Sequence, residues 1–312
     1  MLDCMTLTLA GLFVPLITPF GADGELAQDV LEKLAHTVLD DGATGIVALG
    51  TTAESATLTP AERRTVLDVC ARVSRERGTP LIAGAGSNDT AASGWALREL
   101  TAWPEIEAVL TIVPYFTRPS EDGVVAHFTQ LASVSPLPLI VYNVPYRTGR
   151  SIGPDTLRRL AALPEIIGLK HAVGGIDADT VEFMADPPEG LAVLAGDDVF
   201  ASPLLALGAA GAILASAHLE TRLYADLVNA WRAGDGIGGR ALGHRTAPLS
   251  AALFAEPNPS VIKAVLHAQG RIPTPVVRMP LLTANPASTN AALARLTALE
   301  ATAGVTADVT AQ

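Results

Sequence analysis

Short apolar runs alternate along this chain with longer stretches whose apolar positions recur at helical spacing. Leu12-Phe13-Val14-Pro15-Leu16-Ile17 is the first run, closed by Thr18-Pro19. Val30, Leu31, Leu34, Val38 and Leu39 then mark one apolar helix face. Gly45-Ile46-Val47-Ala48-Leu49-Gly50 is the second run. Thr59, Pro60 and Glu62 behind it predict a helix N-terminus, because threonine can cap, proline suits the first turn and glutamate reaches back to the cap. Six more runs follow: 80–84, 108–113, 138–142, 166–170, 191–195 and 211–215.

Eight strand-like runs with helices between them, over about 220 residues, predict an α/β fold of the (β/α)8 barrel type. A doubly wound open sheet is the other architecture, though it rarely carries eight such regular units. Beyond Thr221 the pattern is helical only, at 223–231, 242–255, 260–268 and 290–299. The expected division is therefore a barrel over 1–234 and a helical C-terminal domain over 235–300. Small and polar residues make 301–312 read as a frayed tail.

Composition narrows the class. The chain is 49% apolar and 17% charged, as a globular protein is. Its nearest approach to a membrane span, Pro203 to Ala217, is broken by glycines and reads as a helix end plus a strand. Met1-Leu2-Asp3-Cys4 lacks the basic start and clear cleavage site of a secretory signal, and so few cysteines make a reducing cytoplasm the expected location. Two cysteines, Cys4 and Cys70, are too few for a disulfide framework or a zinc site. The net charge of −11 argues against a nucleic-acid surface, which needs a positive footprint.

The chemistry is expected at the C-terminal ends of the strands, where barrels gather their active sites. Strand six ends in Ile166-Ile167-Gly168-Leu169-Lys170-His171. Burying an ammonium ion there is costly, yet a desolvated lysine can become a neutral nucleophile, as arginine cannot. The chain holds only Lys33, Lys170 and Lys263 against eighteen arginines. Neighbouring strand ends offer Thr51 and Thr52, Pro114-Tyr115-Phe116, Tyr142, Arg147, Gly196-Asp197-Asp198 and Ser216. A phenol can move protons while a carbinolamine forms and dehydrates. Hydroxyls and amides at Thr51 and Thr52 can seat a keto acid's carboxylate, and Arg147 can clamp a second one. Singly, each has an ordinary reading: helix caps for the threonines, a core ring for Tyr142, a surface charge for Arg147, turn formers for the two aspartates. Their shared placement favours imine chemistry.

Gly50-Thr51-Thr52-Ala53-Glu54-Ser55, Tyr142-Asn143-Val144-Pro145, Ile167-Gly168-Leu169-Lys170, Gly196-Asp197-Asp198 and Glu256-Pro257-Asn258-Pro259 together resemble one family. It is the dihydrodipicolinate synthase/N-acetylneuraminate lyase family of class I, Schiff-base aldolases and lyases, and the resemblance runs from about Gly11 to Pro280. It implies a barrel with a helical C-terminal domain, assembled as a homotetramer of two tight dimers. It implies that Lys170 forms an imine with pyruvate, that Tyr142 relays the proton with Thr51, and that Thr52, Gly196 and Ile213 border the bound substrate. No metal or organic cofactor is implied, and neither a nucleic acid nor a membrane is an expected partner. Arg147-Thr148-Gly149 resembles the synthase branch, in which the arginine meets the carboxylate of L-aspartate 4-semialdehyde. The alternatives are a sibling aldolase acting on a sugar acid or another aldehyde, and a non-catalytic barrel that binds a keto acid.

Three positions depart from that branch. Phe116 stands where a second tyrosine would complete a relay across the dimer. His171 follows the lysine in place of glutamate, which is expected to alter the charge beside the imine. Ala53 replaces a glycine, and its methyl group is expected to narrow the pocket. Pro60 and Ala92 replace the histidine and glutamate of a lysine-feedback site, so strong inhibition by lysine is not expected.

Overall fold

Runs of apolar, partly β-branched residues suit strands covered on both faces, and all eight form parallel strands of one closed barrel, β1 to β8 in sequence order. They span Gly11–Pro15, Gly45–Ala48, Leu81–Ala85, Ile106–Ile112, Leu139–Asn143, Ile166–His171, Ala192–Ala195 and Gly211–Ile213. The computed structural model describes residues 7–309. Met1 to Thr6, with the expected leader-free start and Cys4, and the last three residues lie outside those described.

Alternation within each strand builds two cores. Phe13, Val47, Ile82, Ile140, Leu194 and Ile213 fill the barrel interior. Their neighbours Val14, Ile46, Ala83, Val141, Val193 and Ala212 face the helical shell. That shell comprises α1 (Gln28–Asp40), α2 (Pro60–Arg77), α3 (Thr90–Glu99), α4 (Glu121–Ala132), α5 (Pro145–Thr148) and α6 (Pro154–Ala161). It continues with α7 (Ala178–Ala185), α8 (Ala201–Ala206) and α9 (Thr221–Arg232). The helix expected at Thr59-Pro60 forms with a capping box. Thr59 Oγ1 accepts from the Glu62 amide at 3.2 Å, and the Glu62 carboxylate accepts from the Thr59 amide at 2.8 Å.

Beyond the barrel lie α10 (Gly236–Leu253), α11 (Ser260–Ala268) and α12 (Pro286–Val309). α10 packs on α8, α9 and α12, and α11 packs on α12. The backbone of α12 stays helical to Val309, through most of the segment read as a tail. Residues 310–312 of that segment lie outside the described part.

Barrel closure between β1 and β8 has a side-chain bolt. His218 is fully buried just past β8. Its Nε2 accepts from the Ile17 amide at 3.1 Å, and its Nδ1 sits 2.8 Å from the Ala215 carbonyl, so the neutral ring satisfies both. Burial holds its pKa down at about 4.

Segments beyond the barrel also reach back to the C-terminal ends of its strands. Asn258 Nδ2 donates to Thr52 Oγ1 at 2.9 Å, and Lys263 Nζ donates to Glu54 Oε1 at 2.6 Å. Arg278 donates its amide to Glu54 and its guanidinium to Glu62.

Candidate active site

Pairing of β5 with β6 sets Tyr142 beside Lys170, and pairing of β6 with β7 sets Lys170 beside Leu194. Both side chains therefore point into the barrel mouth. There a cavity of about 510 Å³ opens among Thr51, Thr52, Tyr142, Arg147, Lys170 and Asp198. Lys170 is 7% exposed, with Nζ 4.3 Å from the centre of the Tyr142 ring. Burial lowers its pKa to about 8, helped by the charge of Arg147 and opposed by Asp198 and Asp197. An amine so placed is part neutral near physiological pH, the state that attacks a carbonyl.

Gly196 explains how the lysine lies where it does. A Cβ on this residue would stand 2.6 Å from Lys170 Cγ and 2.9 Å from Cε. No side chain other than hydrogen leaves room for the extended lysine stem.

The Tyr142 hydroxyl is also buried, and burial raises its pKa. The nearby Arg147 charge and Thr51 hydroxyl act in the opposite direction, favouring the phenolate. Thr51 to Ala53 form a 3-10 turn directly after β2, bounded by Leu49 and Glu54, both in the left-handed region with φ of 54° and 55°. Gly84 makes this bend possible, because a Cβ there would lie 2.3 Å from the Leu49 carbonyl oxygen. Thr52 is buried in the turn, and Thr51 is half-buried at the cavity.

Arg147 rides on α5, a single helical turn begun by Pro145 and closed by Gly149 in the left-handed region. Its guanidinium stacks on the Tyr146 ring at 4.7 Å, and its buried Nε makes no hydrogen bond among the described residues. The guanidinium thus borders the cavity, hydrogen-bonded to the Tyr142 side chain, with one N–H left without a partner among the described residues.

Both aspartates border the cavity. Asp197 accepts from the backbone amides of Val199, Gly174 and Phe200, as a turn former does. Asp198 is buried at the cavity, where its Oδ1 accepts from the Ser216 amide at 2.6 Å. Burial raises its pKa to about 6, against the pull of Ser216 and Lys170. Ser216 lies in a 3-10 turn beyond β8 and meets the site through that amide. Ile213 lines the cavity wall.

Two expectations about neighbouring residues are corrected. His171 does not alter the charge beside Lys170. Strand alternation turns it to the outer face, where Nε2 meets Thr180 Oγ1 at 2.9 Å, and burial lowers its pKa to about 4. It is a neutral packing residue. Ala53 does not line the cavity; it is buried at the end of the turn, with its carbonyl accepting from Thr18 Oγ1 at 2.8 Å. Phe116 is 87% exposed in the single chain, with φ of 65°, and lies apart from the cavity lining.

Asn258 had no assigned role in the sequence beyond its motif. It borders the cavity, donates to Thr52, and keeps a buried Oδ1 without a partner among the described residues. Separated from Thr52 by more than two hundred residues, it left no local signal of that contact.

The dihydrodipicolinate synthetase family model matches residues 8–299. The chain is 38% identical over 274 residues to a 4-hydroxy-tetrahydrodipicolinate synthase of Neisseria meningitidis serogroup B, covering 88% of this chain and 93% of that protein. It is 39% identical to the Pseudomonas aeruginosa protein of the same name, covering 89% and 94%. Among solved structures, a chloride-inhibited dihydrodipicolinate synthase from Acinetobacter baumannii, complexed with pyruvate, superposes with a TM-score of 0.89 at 33% identity, covering 94% of this chain and 99% of that one.

Proposed function

The chain belongs to the dihydrodipicolinate synthetase family, and from that premise we propose that it condenses pyruvate with L-aspartate 4-semialdehyde through an imine on Lys170. The observation that carries the reading is a desolvated amine stacked on a buried phenol at the mouth of the barrel.

Lys170 Nζ, when neutral, adds to the C2 carbonyl of pyruvate. Tyr142 passes a proton to the carbinolamine oxygen, which leaves as water and gives the imine. The imine makes the methyl group acidic, because the carbanion left behind is an enamine. The enamine carbon then attacks the aldehyde carbon of the semialdehyde. The lysine nitrogen is itself the electron sink, so this chemistry asks for no metal or organic cofactor.

Thr51 and Thr52 seat the pyruvate carboxylate, with Thr51 also sharing the Tyr142 proton and Ile213 closing one side. Gly196 gives the lysine its room. Arg147, whose Nε–H has no partner among the described residues, receives the carboxylate of the second substrate by a bidentate contact. Phe116 brings no hydroxyl, so the proton path from Tyr142 ends on Thr51 and water. A barrel that only bound a keto acid would need neither the amine nor the phenol. This reading puts the enzyme in the cytoplasm as a homotetramer. Separately, no helix among the described residues is long and apolar enough to cross a membrane.

The test is borohydride reduction with pyruvate, followed by mass analysis. An adduct at Lys170 is expected, and none at any of several pH values would sink the reading. A coupled assay with aspartate semialdehyde then separates this substrate from a sugar-acid aldehyde. In it Arg147→Ala is expected to raise KM for the semialdehyde and leave that for pyruvate nearly unchanged. Added lysine is expected to leave the rate unchanged.

A further inference from the structure

Glu54 and Lys263 form an ion pair with almost no exposed side-chain surface, 1% and 0%. Burying two charges stabilises little by itself, since their desolvation offsets most of the attraction, and an apolar pair of like volume often serves as well. The best-attested use of such a pair is to fix one arrangement of the chain. Here it joins two segments 209 residues apart, α11 and the end of the turn that carries Thr51 and Thr52.

Both carboxylate oxygens of Glu54 are engaged. Oε1 takes the Lys263 ammonium at 2.6 Å, and Oε2 takes the Arg278 amide at 2.7 Å. Phe20 packs beneath both cations, with Lys263 Nζ 4.2 Å and Arg278 Cζ 4.3 Å from its ring centre. Glu54 itself holds a left-handed backbone without being glycine, a conformation that persists only where surroundings over-determine it. Leu49 is held likewise at the other end of the turn. One bond from Asn258 to Thr52, in the segment that leads into α11, completes the hold.

We propose that Glu54 and Lys263 are positioning residues for pyruvate: their pair fixes the turn at Thr51 and Thr52 from outside the barrel, and so sets the affinity for the substrate carboxylate. This rests on the reading that those threonines seat that carboxylate. The pair touches neither Lys170 nor Tyr142 and leaves the covalent chemistry to them.

The experiment uses the full-length double variant Glu54→Gln/Lys263→Met, which leaves neither ion unpaired, and the isosteric single variant Glu54→Gln. With native-like melting, KM for pyruvate is expected to rise by about ten-fold or more while kcat stays within about three-fold. KM for the aldehyde stays near that of the wild type, and borohydride still traps Lys170 at saturating pyruvate. An unchanged pyruvate KM in a folded variant overturns the assignment. Loss of folding in both variants overturns it too, because the pair is then a stability element. A wild-type protein that gives no adduct at Lys170 rejects the imine reading instead, which tells the two failures apart.

Discussion

Lys170 has a pKa near 8 because burial and Arg147 outweigh the pull of Asp198. Its neutral fraction therefore grows as pH rises toward 8, and kcat/KM for pyruvate is expected to climb over that range and then level off. Asp198→Asn removes a charge that favours the ammonium form, so the climb is expected to move to lower pH. A pH profile of initial rates decides it, and movement toward higher pH would count against the assignment. Gly196→Ala tests geometry rather than charge. Its Cβ would overlap the Lys170 stem, and a displaced nucleophile is expected to lower kcat by about a hundred-fold while thermal melting changes little. Lys170 itself was legible as an awkward amine at a strand end. Its room was not, since the Gly196 contact depends on β7 standing beside β6. The outward turn of His171 was written in strand alternation all along: if residue 170 faces the interior, residue 171 cannot.

At the level of elements, the apolar runs located every strand to within two residues at its start, because a strand covered on both faces has little choice but to be apolar. Their ends were less legible: the first run continues past Pro15 to Ile17, where the chain leaves β1 to meet His218. α5 went unread, being one turn long, yet it carries Arg147. α2 announced itself by chemistry, and its cap can be weighed. Thr59→Ala is expected to cost about 1 kcal/mol in a urea titration, with kinetic constants unaltered. Glu62 serves that cap and Arg278 at once, and the guanidinium holds its carboxyl down to about 2. Its share of stability is thus present above the ordinary carboxylate range and is lost as pH falls through about 2.

For the molecule as a whole, buried imidazoles make stability fall on mild acidification. His127, His171 and His218 are each held near 4 by burial, against about 6.5 in an unfolded chain. Between those values the unfolded chain binds more protons, so stability is complete above about 6.5 and falls as pH drops toward 4. Urea midpoints measured across that window should slope accordingly, less the opposing share of Asp198, whose raised pKa lets the folded chain hold a proton over part of the same range, and His127→Gln should flatten the slope. The helices beyond the barrel were readable as a change of periodicity, but the traffic between them and the barrel was not. Asn258, Lys263 and Arg278 all cross back to the turn at 51–54. That traffic places a condition on recombination between relatives. A chimaera that joins this barrel to another C-terminal half inherits a working pocket only if the newcomer brings an amide, an amine and a free backbone N–H to those three places. Chimaeras chosen for barrel fit alone would fold around a lysine poised for a substrate they hold loosely.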